Sequence, residues 1–304
     1  YIGKTFDKKY LRVINDWLND WVTQNPVNIG PNWKCGQEAS IRILNLIIVN
    51  EVLGVRKKTD DYIDLLKMHI DRIVTTTFYA KAQDNNHGIS EGIALYLGAK
   101  LIADHTKLKK YNIIHNKGLK LIENRIEKLI LDDGTFSQYS IFYHRMVLDM
   151  ISFLELTRKK WSLESFTDCF YERVTKATIW YESLIDPVSG GAPNMGGNDG
   201  TYLFNFDDMP SQDFRPTLSL VSSAFSIPIN PVFNKKHIMQ SIFRVEQLYR
   251  RNTSLNSKAF LKGGILKLIR PKGMLLFRCP KYIFRPSHSD ALHVDIWQDG
   301  VNWV

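Results

Sequence analysis

Four stretches of this sequence bring together side chains whose types could bind an anion, pair with a charge or hold a metal. In one of them Asn86 and His87 are adjacent, and Glu91 follows one helical turn later. An amide and an imidazole at a helix entrance either cap the helix or jointly hold an anion. Tyr143 and His144 form a second adjacent pair. Because single histidines are usually structural, neither stretch is decisive alone.

The other two stretches lie near the ends of the chain. Glu38 and Arg42 follow Trp33 and are four residues apart, a spacing at which opposite charges pair on one helix face. His288 and Asp290 precede an alternating run typical of a β-strand. The ordinary explanation is a salt bridge on one helix face for the first of these stretches and a purely structural turn for the second.

Composition and charge narrow the class of protein. The 304 residues are 44% apolar and 23% charged, which is typical of a globular chain with a sizeable core. The formal charge of +9 attracts acidic polymers, whether nucleic acid, anionic lipid or acidic glycan. The basic residues are scattered, and neither zinc-finger spacing nor an aromatic–glycine RNA motif is present. We therefore expect no nucleic-acid partner.

The spacing of the cysteines does not suggest a metal finger, and the apolar runs do not suggest a membrane span. The three cysteines form no CxxC pair. The most apolar run, residues 41–55, is interrupted by Arg42, Asn45, Asn50 and Glu51, so it is not a transmembrane helix. The sequence starts at Tyr1 and stops after an alternating stretch, from which we expect a piece of a longer protein.

Helical periodicity dominates residues 7–181. Apolar residues three and four apart, such as Ile41, Leu44, Ile48 and Val52, recur in several stretches separated by short Asn, Asp, Gly and Pro breakers. Consecutive helical hairpins of similar length predict paired helices wound into a toroid or solenoid.

The pattern changes after residue 190. Residues 190–216 form a long loop rich in Gly, Asn, Asp and Pro, a length usual for functional or disordered loops. One or two further helices are predicted around residues 218–225 and 235–250. Strand-like runs then follow at residues 265–269, 274–278, 282–284 and 292–297.

Taken in order, five stretches resemble one protein family. They are NPVNIGPNWKCGQEASIRI, NNHGISEGIALYLGA, DDGTFSQYSIFYHR, PNMGGNDGTYLF and HSDALHVDIWQDG. Together they resemble the heparinase II/III superfamily of polysaccharide lyases, which includes proteins of bacterial surface-polysaccharide gene clusters. The resemblance covers nearly the whole chain, and its asparagine–histidine and Tyr–His elements are the most specific.

The resemblance implies a mainly α fold, an incomplete (α/α) toroid followed by the start of an antiparallel β-sandwich. The toroid would comprise residues 1–255 and the sandwich would begin in residues 256–304. It implies a lyase that cleaves an acidic glycan by β-elimination at a uronic acid. A periplasmic or cell-envelope location is expected, and a cytoplasmic one stays open.

The family's chemistry would fall on three residues. Elimination requires neutralisation of the uronate carboxylate, removal of H5 and protonation of the leaving O4. By motif, Asn86 and His87 would neutralise the carboxylate, and Tyr143 would be acid, base or both. A tyrosine base needs a lowered pKa, for which His144 and the positive field are candidates.

The resemblance also suggests binding residues. No cofactor is required, but His288 and Asp290 match part of a motif that can contribute to a structural zinc site. The side chains expected to bind the glycan are Trp33, Glu38, Arg42, Glu91, His144, Asn198 and Asp199.

One departure from the family keeps rival functions open. Family members often carry a histidine where this chain has Pro286. If that histidine is the base, this protein relies on Tyr143 alone or is an inactive glycan-binding or assembly protein. A glycoside hydrolase on the same scaffold would need two opposed carboxylates. The candidates for that pair are Glu38, Glu91, Asp133 and Asp199. The sugar, the cleavage mode and the oligomeric state stay open.

Overall fold

A computed structural model describes residues 8–55, 58–206, 210–250 and 255–304. The contacts within the chain divide it into two compact units. The first unit contains the chain up to Gln83 together with His87–Ile122, and the second contains Asp84–Asn86 together with Glu123–Val304.

Among the residues that the structure describes, the regular elements of the first unit are all helices. Thr59 caps the third helix because its hydroxyl accepts a hydrogen bond from the Tyr62 amide, and Gly54 ends the second helix in a left-handed conformation. The helices are α1 (Lys8–Gln24), α2 (Gly36–Leu53), α3 (Asp60–Ala82), α4 (Asn86–Thr106) and α5 (Lys109–Leu129), the last continuing into the second unit.

Glycines allow these helices to approach closely. A Cβ atom at Gly98 of α4 would lie 3.1 Å from Ile70 and 3.2 Å from Ile43, so three helices meet there. At Gly118 of α5 a Cβ atom would lie 2.5 Å from the backbone nitrogen of Tyr96. The α4–α5 contact is therefore one of backbone against backbone, which only glycine permits.

The second unit is organised around one buried helix. It contains α6 (Ile141–Lys160), α7 (Asp168–Leu184), α8 (Arg215–Phe225) and α9 (Ile238–Phe243). Every residue of α6 from His144 to Arg158 is buried, and α6 packs against α7 and α8. The Ser140 hydroxyl accepts a hydrogen bond from the Tyr143 amide at 3.3 Å and caps this helix.

An antiparallel sheet follows the helices. Its strands pair in chain order: β1 (Lys258–Phe260), β2 (Ile265–Arg270), β3 (Gly273–Arg278), β4 (Val294–Gln298) and β5 (Val301–Asn302). Side chains alternate between a covered and an open face, as Ile265 and Lys267 are buried whereas Leu266 and Leu268 are exposed. The Lys267 ammonium donates to the carbonyl of Ser183 on α7, which fixes the sheet to the helices.

These elements confirm the predicted fold class, a mainly helical body followed by an antiparallel sheet. Two predicted elements differ. The helix expected over residues 235–250 ends at Phe243, because Arg244 adopts a left-handed conformation. Residues 282–284 form no strand, because the amides of Ile283 and Phe284 donate to the Tyr139 hydroxyl instead of to a neighbouring strand.

The domain boundary at residues 255–256 stays a prediction. Within the described ranges, no helix is both long enough and apolar enough to cross a membrane.

Candidate active site

The strongest convergence of predicted site residues lies in the second unit, where Tyr143 meets Asp199. The Tyr143 hydroxyl donates to Oδ2 of Asp199 at 2.7 Å. The other carboxylate oxygen accepts from the amide of Thr201 at 3.1 Å and also from its hydroxyl. The carboxylate is therefore held at both oxygens, while the Tyr143 ring is half-buried and Asp199 is exposed.

The electrostatics of this pair keep the phenol protonated. Burial, followed by the hydrogen bond to Asp199 and its negative charge, raises the pKa of Tyr143 to about 12. Partial burial alone would raise the pKa of Asp199, but the hydrogen bonds from Thr201 and Tyr143 outweigh it and hold that pKa below its ordinary value. The pKa of Tyr143 is thus shifted in the direction opposite to the one expected from the sequence.

The loop that carries Asp199, residues 193–201, is anchored to the start of α6. The Ser140 hydroxyl donates to the carbonyl of Gly197 at 2.6 Å, and the Ile141 amide donates to the carbonyl of Met195 at 3.3 Å. Gly196 has a φ of 74°, and a Cβ atom there would collide with the backbone just before α6. Close backbone packing therefore requires glycine at this point of the loop.

Asn198 lies exposed on the same loop, next to Asp199. Its side-chain amide donates to Oδ1 of Asn194 at 2.8 Å, and its own Oδ1 accepts from the amide of Gly200. Asn198 and Asp199 are therefore both accessible to a ligand, and the role in glycan binding predicted for them stays a proposal.

A second anchor of the loop comes from residues 287–290. The Ser287 hydroxyl accepts from the Gly197 amide at 2.9 Å, and Oδ2 of Asp290 accepts from the Gly196 amide at 3.0 Å. The same Asp290 oxygen accepts from Nη1 of Arg278 at 2.5 Å. Two side chains far along the sequence thus hold consecutive amides of the loop.

The zinc site to which His288 and Asp290 would contribute stays a prediction. One oxygen of Asp290 is engaged by Arg278 and Gly196, and the other lies 3.4 Å from the Tyr282 hydroxyl. His288 is exposed. Across the part of the chain that the structure describes, no three His, Cys, Asp or Glu side chains are grouped as metal ligands. A bound cation would also be repelled by the Arg278 guanidinium.

His144 lies in the core, which does not support either role predicted for it. Its ring stacks on Trp180 with 4.4 Å between the centroids, and Nε2 is 3.1 Å from the Ala177 carbonyl. Burial lowers its pKa to about 3, so the imidazole is neutral. It neither faces solvent, where a glycan would bind, nor supplies a cation to Tyr143.

Asn86 is also interior. Its backbone amide donates to Oε1 of Gln138 at 3.0 Å, and its side-chain amide points at the sulfur of Met146 at 3.5 Å. The side-chain oxygen is buried without a hydrogen-bond partner among the described residues. This amide is therefore closed to a substrate carboxylate in the conformation described. The expected convergence of Asn86 with His87 and Tyr143 stays a prediction.

In the first unit, His87 and Glu91 lie on one face of α4. Nδ1 of His87 is 3.9 Å from the sulfur of Cys35, and burial lowers the pKa of the half-buried imidazole, which is neutral near pH 7. Glu91 is 2% exposed, and a Cβ atom at Gly36 would overlap its carboxylate. Burial raises the pKa of Glu91 to about 7, against the attraction of Arg72.

Trp33 and Arg42 form a separate cluster in this unit. The buried Trp33 ring lies 4.6 Å from the ring of His69, so it is closed to sugar stacking. Arg42 donates to Nε2 of His69 at 3.0 Å and to the Asn32 carbonyl at 2.6 Å, with its guanidinium over Trp33. Glu38 is exposed, and its charge acts on Arg42.

The residues that hold the loop of residues 193–201 in place were missed by the sequence-based prediction. They are Ser140, Ser287 and Arg278, whose hydrogen bonds lead to the loop directly or through Asp290. Of these, only Ser140 could have been found from the sequence, because a serine directly before a helical pattern indicates a helix N-cap. Asp290 was singled out, but for a metal site and not for its contact with the loop.

Comparison with known proteins gives matches in structure only. No protein-family model matches the chain, and no curated protein matches it in sequence. A crystal structure of heparinase III matches with a TM-score of 0.64 at 16% identity, over 98% of this chain and 47% of the other. The heparan sulfate lyase HepC from Pedobacter heparinus matches with a TM-score of 0.60 at 17% identity, over 99% of this chain and 46% of the other.

A third structure, the heparinase III that is the BT4657 gene product, gives a TM-score of 0.60 at 14% identity, over 99% of this chain and 49% of the other. The chain thus spans about half the length of the solved structures it matches. At such low identity the likeness establishes the fold and not the activity. The fold of this chain is that of the heparinase III and heparan sulfate lyase structures.

Proposed function

We propose that this chain belongs to a polysaccharide lyase that cleaves a uronic-acid-containing glycan by β-elimination. The observation that carries the proposal is the half-buried Tyr143 hydroxyl bonded to Asp199, in a chain with the fold of heparin-type lyases. The net charge of +9 favours an acidic polymer as substrate. A periplasmic or cell-envelope location, in a surface-polysaccharide pathway, is part of the proposal.

The reaction has three requirements. A base removes H5, the electron pair of that C–H bond forms the C4=C5 double bond, and the C4–O4 bond breaks. The departing O4 takes up a proton, so no water is consumed. Because the neighbouring carboxylate opposes carbanion formation, a hydrogen-bonding partner must offset its charge.

We assign Tyr143 to the protonation of O4. A phenol whose pKa is raised to about 12 keeps its proton at neutral pH, yet it is more acidic than a sugar hydroxyl and can donate to a departing alkoxide. Asp199 holds the phenol in its protonated form before the reaction. After proton transfer, the phenolate would face the Asp199 carboxylate, and this repulsion favours rapid reprotonation from water.

His87 is the proposed partner of the substrate carboxylate. As a neutral imidazole it can donate one N–H and accept at its other nitrogen. Asn86 enters the proposal only as a support for the chain at His87, because its amide is buried.

The test uses the complete protein and a panel of uronic-acid polymers, with ultraviolet absorbance of the unsaturated product as the readout. Tyr143→Phe keeps the ring and removes the proton. It should lower kcat by about 10²-fold or more while leaving glycan affinity nearly unchanged. His87→Ala should lower both kcat and glycan affinity. The matched control is Tyr249→Phe, an exposed tyrosine of the same unit as Tyr143, which should behave like the wild type.

Two other outcomes would redirect the proposal. Binding of a uronate polymer without any unsaturated product would favour the inactive glycan-binding protein, for which Pro286 is the sequence observation. New reducing ends without unsaturation would favour a hydrolase. That second outcome would need a pair of free carboxylates, whereas both oxygens of Asp133 accept backbone amides, from Thr135 and Gly263.

A further inference from the structure

The ion pair between Arg278 and Asp290 lies at the end of β3, next to the loop of residues 193–201. Arg278 is 3% exposed, and its Nε and Nη2 atoms have no hydrogen-bond partner among the described residues. Asp290 therefore supplies the charge that compensates a buried guanidinium. Removing one partner of such a pair is more disruptive than removing a surface pair, because the other charge is left buried.

The same Asp290 oxygen also accepts from the Gly196 amide, and Ser287 accepts from the next amide, that of Gly197. These two glycines precede Asp199 by three and two residues. A shift of the backbone at Gly196 would therefore move the Asp199 carboxylate relative to Tyr143, to which it is bonded at 2.7 Å.

We propose that Arg278, Asp290 and Ser287 act as a clamp that positions residues 193–201 so that Asp199 meets Tyr143. In this clamp a single oxygen of Asp290 accepts from both the Arg278 guanidinium and the Gly196 amide. Arg278, Asp290 and Ser287 are positioning residues and do not touch the substrate. Their catalytic consequence rests on the proposed function, whereas the clamping of the loop does not.

The experiment compares Asp290→Asn, Asp290→Ala and Arg278→Lys in the complete protein. The first keeps the shape of the side chain and loses its charge, and the third keeps the charge and loses the planar fork. Glu155→Gln is the matched control, because it breaks another buried arginine pair of the same unit, with Nε of Arg158 at 2.7 Å. Amide hydrogen exchange over residues 193–201, kcat and KM are measured for each.

We expect faster amide exchange at Gly196 and Gly197 in both Asp290 variants. We also expect kcat to fall by about 10²-fold with KM little changed, because misplacing a catalytic group costs about that much in rate. Arg278→Lys should change both quantities less, because it keeps the positive charge beside Asp290. Glu155→Gln should lower thermal stability without changing exchange in this loop or kcat. If Asp290→Ala does not fold, the comparison of Asp290→Asn with Arg278→Lys carries the test.

Unchanged exchange at Gly196 and Gly197 in a folded Asp290 variant would overturn the clamp. The clamp would also be overturned if the purified wild type contained one zinc ion per chain and the Asp290→Asn variant contained none, because Asp290 would then be a metal ligand. If the wild type forms no unsaturated product, the lyase proposal fails, and the exchange measurement still decides whether the clamp exists.

Discussion

Two loops of similar composition are held in place differently in this molecule. Residues 25–34 and residues 193–201 both contain Asn, Gly and Pro, and each has a glycine with positive φ. The first loop is held partly by its own side chains, since Nε1 of Trp33 donates to the Asn25 carbonyl at 3.0 Å, and partly by Arg42 and Arg72, which donate to the carbonyls of Asn32 and Lys34. The second loop is held by side chains from elsewhere in its unit.

The difference decides which polar groups remain accessible. In the first loop, the Asn32 carbonyl is taken by Arg42, and the aromatic ring of Trp33 is buried. The second loop is bound through its backbone groups by the side chains described above, which leaves Asn198 and Asp199 exposed. Composition identifies such loops, but only the structure shows which of their groups stay exposed.

The largest expected effect comes from adding one methyl group to each loop. Gly196→Ala would force a Cβ atom against the carbonyl of Tyr139, whereas a Cβ atom at Gly30 would meet no atom within 4 Å. Gly30→Ala should therefore cost only the backbone strain of about 1–3 kcal/mol, and Gly196→Ala clearly more, with loss of activity. Urea unfolding of both variants measures the difference, and equal losses would contradict the comparison.

Asp199→Asn should change the alkaline behaviour of the second loop. The pKa of Tyr143 is raised to about 12 in the folded protein and is about 10 in the unfolded chain. The stabilisation from this group is therefore present below about pH 10 and lost as the pH rises to about 12. In Asp199→Asn the pKa of Tyr143 should fall, and the alkaline loss of stability attributable to it should shrink. Tyrosinate absorbance, corrected with the corresponding Tyr143→Phe protein, measures the change.

Arg42→Lys should affect the stability of the first unit more than glycan binding. The substitution keeps the charge but loses the fork that joins His69 and Asn32, so we expect a loss of about 1–3 kcal/mol in the free energy of unfolding. Glycan affinity should be unchanged in the folded protein. A large drop in affinity at unchanged stability would instead support the glycan-binding role expected of Arg42 from the sequence.

A further expected effect is an acid sensitivity of His69 on α3, whose ring packs against Trp33 of the first loop. Burial lowers the pKa of His69 to about 4, from about 6.5 in an unfolded chain. Its contribution to stability is therefore present above about pH 6.5 and lost as the pH falls towards about 4. His69→Gln should lose less stability than the wild type across this acid range, as measured by urea midpoints. The exposed His105→Gln serves as the control.

The fold was largely predictable, whereas the site was predictable only in part. Apolar spacing located α2 and α3, and alternation located β2, β3 and β4, because burial imposes these periods locally. The false strand at residues 282–284 shows the limit, since the Tyr139 hydroxyl takes the amides that a strand would pair.

Among the site residues, the sequence could not distinguish Tyr143 from His144. The two are adjacent on α6, but the helix directs Tyr143 to Asp199 and His144 into a stack with Trp180. Arg278 carried no signal, because its role depends on a partner twelve residues later and on a loop about eighty residues earlier. Such long-range polar contacts leave no period in a sequence.

The distance along the chain between Gly196 and Asp290 has a consequence for biosynthesis. The loop's two amides are bound by residues 90 and 94 positions later. During synthesis, the helices around α6 can pack before those residues have left the ribosome, because domains fold as their chain emerges. The Tyr143–Asp199 arrangement would then be completed only late in translation. A nascent chain arrested before residue 287 should show protected α6 amides but rapid exchange at Gly196 and Gly197.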